Sequence, residues 1–110
     1  MDFEWIRLPL YNEWDFQYNA PLIDQEYIWR FYYEDRIKQW SFDLSYATGE
    51  PIVEGQALLP LTPILLGEIN DIPGFVWLEP IQKEINEVVA NPDHLYKYYR
   101  LFFIYFRDLM

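Results

Sequence analysis

The sequence predicts an all-β protein, a small antiparallel sandwich or barrel of about seven short strands. Three observations carry that prediction. Aromatic residues fall on every second position in two neighbouring runs, first Tyr27, Trp29, Phe31 and Tyr33, then Trp40, Phe42, Leu44 and Tyr46. Strand-length apolar stretches recur along the chain. Pro, Gly, Asn and Asp separate them. A period of two sends successive side chains to opposite faces of a strand. The second run therefore has one aromatic face and one wet face, the latter made by Ser41, Asp43 and Ser45. The charged break Glu34-Asp35-Arg36 between the runs makes them an antiparallel hairpin, with aromatic pairs across it worth roughly 0.2–1 kcal/mol each beyond burial.

In chain order, Phe3 to Leu10 is the first strand candidate, ended by Pro9, and Trp14, Phe16 and Tyr18 mark the second. Asn19-Ala20-Pro21 is expected to break that strand. The turn Ala47-Thr48-Gly49-Glu50-Pro51 leads to a strand over Ile52 to Leu59, where Gly55 predicts a bulge or a close backbone approach. Leu61 to Leu66 is apolar but crossed by Pro63, and reads as an irregular segment under the sheet. A turn at Asn70–Gly74 precedes a short strand over Phe75 to Leu78. Ile81, Ile85, Val88 and Val89 have helical spacing, so 81–90 reads equally as a short helix or a loop. The last strand, Tyr98 to Phe106, is apolar on both faces, the pattern of a strand buried between layers or covered by another chain. The expected core is Trp29, Phe31, Trp40, Phe42, Leu44, Leu58 and Leu66.

The length of 110 residues fits one β domain over 1–110. A chain this short hides a smaller share of its surface than a long one, and 21% of it is aromatic. Some rings must therefore reach the surface, where aromatics anchor interfaces. The net charge of −10 argues against binding nucleic acid through its phosphates or an anionic membrane. No run of about 18 apolar residues is present to span a bilayer, and the acidic start is unlike a secretory leader. The chain is accordingly expected in the cytoplasm where it is made, or in a particle assembled there.

Chemistry has little to work with. There is no cysteine and one histidine, His94, so neither a nucleophilic triad nor a histidine–cysteine metal site can be built. Carboxylate pairs such as Glu13/Asp15 could in principle cleave glycosidic bonds, but 18 acids in this length produce such pairs by chance, and solvated charge is the preferred reading. Calcium-loop spacing and a glycine-rich phosphate loop are both missing. No enzyme activity, cofactor or metal is expected. The tryptophans could instead stack on sugar rings. Trp29 and Trp40 read as core, and Trp5 and Trp14 as the surface pair, for which a protein partner is preferred.

Several pieces of the chain resemble the baseplate plug family of contractile-tailed phages. They are I-R-L-P-L at Ile6–Leu10, W-S-F-D-L at Trp40–Leu44, G-E-P-I-V-E-G-Q-A-L-L at Gly49–Leu59, I-L-L-G at Ile64–Gly67, G-F-V-W-L at Gly74–Leu78 and R-L-F-F-I-Y at Arg100–Tyr105. The resemblance implies a small β-rich structural protein of the virion that plugs or lines the central channel where tail tube, hub and spike meet. It implies several copies in a ring and no catalytic residues to carry over. A negative surface there would repel passing DNA. On this reading Trp5, Trp14, Tyr18, Phe102 and Phe106 are the expected contacts with neighbouring tail proteins. The alternatives are a carbohydrate-binding β-module using surface tryptophans and, less favoured, a small acidic enzyme.

Overall fold

A computed structural model describes residues 3–23, 25–66, 72–82 and 92–106. It is a sandwich of two four-stranded antiparallel sheets. The strands are β1 (Phe3–Leu8), β2 (Asp15–Leu22), β3 (Gln25–Glu34), β4 (Gln39–Tyr46), β5 (Pro51–Ala57), β6 (Ile64–Leu65), β7 (Phe75–Pro80) and β8 (Tyr99–Phe106). A short helix, α1 (His94–Tyr98), leads into β8. One sheet has the order β2-β3-β4-β5, the other β1-β8-β7-β6.

The first sheet grows from the aromatic hairpin. β3 and β4 pair so that Tyr27 faces Tyr46, Trp29 faces Leu44, Phe31 faces Phe42 and Tyr33 faces Trp40. All of the expected core residues lie inside, each 0 or 1% exposed. Trp29 and Phe31 stack with ring planes 3° apart, and Phe31 packs on Phe42 at 5.8 Å. Inner residues of the second sheet complete the same core: Leu8 from β1, Val76 and Leu78 from β7, and Leu101 and Phe103 from β8. The hairpin turn is closed by an ion pair between Lys38 and Asp35 at 2.8 Å.

Two boundaries differ from the sequence expectation. Asn19-Ala20-Pro21 does not end the second strand: pairing continues through Pro21 and Glu26 to Leu22 and Gln25. Proline is tolerated there because β2 is an edge strand, whose missing N–H need not point at a neighbour. The stretch read as irregular, Leu61 to Leu66, contributes the two-residue strand β6, with Ile64 and Leu66 buried. The helix or loop expected over 81–90 falls almost wholly on residues 83–90, outside the described residues. A short helix that the sequence pattern does not announce, α1, lies at His94–Tyr98.

The bulge at Gly55 is present. Phe42 pairs with Gln56 and Leu44 with Val53, so two residues of β5 stand against Asp43 alone. Gly55 takes a φ of +66°, and its N–H donates to Asp43 Oδ1 at 2.7 Å. Among the described residues, no helix is long and apolar enough to cross a membrane.

Candidate interaction surface

The two sheets turn opposite kinds of surface outward. On the β2–β5 sheet the outer face is polar. Arg30 makes a two-pronged contact with Asp15, Nε to Oδ1 at 3.1 Å and Nη2 to Oδ2 at 2.7 Å, and its other side approaches Asp43 at 3.9 Å. The Arg30 guanidinium lies over the Tyr32 ring at 4.7 Å, and the Tyr32 hydroxyl donates to Asp43 Oδ1 at 2.9 Å. Hydrogen bonding from Arg30 holds the Asp15 carboxyl below the usual carboxylate range. Partial burial, then the bond to Asp43, pushes the Tyr32 phenol up to about 12. This cluster satisfies itself and offers a partner little.

The outer face of the other sheet is aromatic. Its pleat follows from the register: Trp5, Ile104 and Phe75 lie in one row across β1, β8 and β7, and Arg7, Phe102 and Trp77 lie in the next. Leu65 of β6 extends the first row. Phe3, Trp5 and Leu65 are about half exposed, at 49%, 51% and 51%. Trp5 meets Phe102 edge-on at 5.2 Å, and Phe75 meets Trp77 edge-on at 6.3 Å. Ile104 is only 3% exposed because these rings stand around it. Phe3, Trp5, Phe75, Trp77 and Ile104 wall an open pit of about 170 Å³. The Trp77 indole N–H is hidden there and finds no acceptor among the described residues.

The contact residues expected from the sequence fall in different places. Trp5 and Phe102 touch each other on this aromatic face. Phe106 ends β8 opposite Phe3, at a register position of the same face. Trp14 is exposed, but it precedes β2, meets Tyr33 edge-on and donates its N–H to Asp93 at 3.3 Å. Tyr18 points to the inner side of β2, between Tyr11, Phe16 and Phe31, and burial raises its phenol strongly. The structure thus brings together Trp5, Phe102 and the Phe106 position, and separates Trp14 and Tyr18 from them.

Sequence reasoning missed Phe3, Leu65 and Phe75, and it offered Trp77 only as a sugar-stacking candidate, not as a partner contact. Their signal was the spacing Phe3-x-Trp5 and Phe75-x-Trp77, which puts each pair on one side of its strand. Which side faced outward depended on a register with β8 that no local pattern encodes.

Among the described residues, no group of three or more His, Asp or Glu side chains is placed to hold a metal ion. His94 packs edge-on against Tyr98 at 5.0 Å, with Nδ1 buried and without a hydrogen-bond partner among the described residues. A search of curated proteins returns no match. A protein-family model described as cyanophage baseplate Pam3 plug gp18 matches residues 5–106, nearly the whole chain, and this chain belongs to that family.

Proposed function

We propose that this protein plugs or lines the central channel of a phage tail baseplate, at the junction of tail tube, hub and spike, and that it works by packing. Membership of the baseplate plug family makes it a structural baseplate component of the virion. The finer reading rests on one observation, the outward-facing aromatic surface around Trp5, Phe102 and Trp77. An all-apolar pit flanked by half-exposed rings is the anatomy of an interface core waiting for its other half. Hub, tube or spike subunits cover it, and several copies follow the symmetry of the ring.

The same geometry disfavours sugar binding. Rings that stack on a sugar are accompanied by side chains that fix its hydroxyls. The five residues walling the pit include no carboxylate or amide. A glycan pull-down with purified protein is expected to give no saturable binding.

Electron cryomicroscopy of intact particles tests the placement. Density for this chain across or around the tail channel, with the β1-β8-β7-β6 sheet against another protein, is the expected result. Density confined to the baseplate periphery, or a particle without the chain, would contradict it.

A further inference from the structure

At one end of the aromatic face, two arginines share a hollow. Arg7 of β1 and Arg100 of β8 are both exposed, and with Leu10 and Tyr96 they border a notch of about 50 Å³. Among the described residues neither arginine holds an ion pair, whereas Arg30 and Lys38 do. Glu79 stands opposite Arg100 in the register without bridging it. In a chain carrying 18 acids and a net charge of −10, a hollow bordered by two guanidinium groups that hold no ion pair among the described residues is an exception to the surface around it. Guanidinium forks match carboxylates in shape as well as charge.

The notch adjoins the pit. Arg7 follows Trp5 by two residues on the same side of β1, a separation of roughly 6.6 Å along a strand. Among the described residues, β1 is also the sheet edge that has neither a proline, a bulge nor a two-residue length. Pro21 interrupts the edge of β2, a bulge and Pro51 disturb β5, and β6 is two residues long. β1 runs from Phe3 to Leu8 with none of these devices.

Resting on the baseplate reading, we propose that this corner receives an extended segment of a neighbouring subunit with an apolar residue and an acidic one two positions apart. The apolar side chain fills the pit beside Trp5. The Asp or Glu carboxylate seats between Arg7 and Arg100. A second copy of this chain is a poorer occupant, because it would bring another ten negative charges to the contact.

The test uses assembled particles carrying a photo-crosslinking residue in place of Glu79, beside Arg100. The expected product joins this chain to one other baseplate subunit, through a fragment with an Asp or Glu two positions from an apolar residue. Arg7→Glu and Arg100→Glu should each lower the yield about tenfold, with Arg7→Lys retaining most of it. Circular dichroism of the purified variants checks that the fold is intact. Yields indifferent to charge reversal would overturn the proposal, as would a product joining two copies of this chain. Mass spectrometry of the same particles keeps the two readings apart. If the chain is present and the crosslink runs elsewhere, only the notch proposal fails. If the chain is absent, both fail.

Discussion

Arg30 is held by Asp15 on one side and approached by Asp43 on the other, and this arrangement fixes the polar face more than it stabilises the fold. Both partners of the closer pair are about half exposed, so solvent screens it and its contribution is about 1 kcal/mol at most. The sign of its pH dependence follows from the Asp15 carboxyl, which titrates below its ordinary 3.8 in the folded chain. The stabilisation is present above that ordinary value and is lost as pH falls through the lower, folded one. Asp15→Asn should therefore be slightly less stable than the parent at pH 7, by about 0.5–1 kcal/mol, with the gap closing in strong acid. Urea titrations at both pH values measure it. Gly74 is under a harder constraint. Its φ is +137°, and an added Cβ would lie 2.5 Å from the Ile104 carbonyl oxygen and 2.7 Å from the Phe103 ring. Gly74→Ala should cost about 2–4 kcal/mol, by backbone strain and overpacking together. Gly49 also has a positive φ, +95°, but an added Cβ meets nothing within 4 Å. Gly49→Ala should lose only about 1 kcal/mol, and thermal melts of the two alanine variants check the contrast.

The β3–β4 hairpin and strand β8 show two ways of using aromatic residues. In the hairpin one face is buried almost completely, and removing a ring there opens a cavity. Phe31→Ala should cost about 3–5 kcal/mol, a large part of what a small domain has. Trp5→Ser removes an exposed ring and should cost less than about 1 kcal/mol, chiefly its edge contact with Phe102. Chemical denaturation of the two variants side by side checks the contrast. The hairpin was legible in the sequence because its alternation, charged turn and tight connection are local signals. The bulge was legible for the same reason: Gly55 interrupts an otherwise regular strand. β8 was legible only in part. Its two apolar faces announced burial or a partner; the sheet order satisfies one face with the core, and on the other the rings of β1 and β7 stand around Ile104. Pro21 misled because a proline reads as a break until the strand is known to be an edge. α1 went unseen because five residues carry too little periodicity to register. Trp14 and Trp5 were indistinguishable as exposed tryptophans, since only the sheet pairing assigns them to different surfaces.

At the scale of the molecule, the sandwich separates two tasks. One sheet closes the core and presents a self-satisfied polar surface. The other completes the core with its inner side and offers Trp5, Phe75, Trp77 and Phe102 outward. The overall acidity discourages adventitious contacts and leaves the arginine-flanked aromatic face as the exception. On the function proposed above, this division serves packing against a neighbour. The most direct test is the amount of this chain per purified phage particle, measured by quantitative mass spectrometry for three forms. They are the parent, the double variant Trp5→Ser/Phe102→Ser, and a control altered on the polar face at Gln17→Ser/Asn19→Ser. The prediction is that all three fold with similar melting temperatures, and that only the aromatic-face variant falls to a tenth or less of the parental copy number, about 1.4 kcal/mol or more of lost affinity. Normal incorporation of that folded variant would contradict the account.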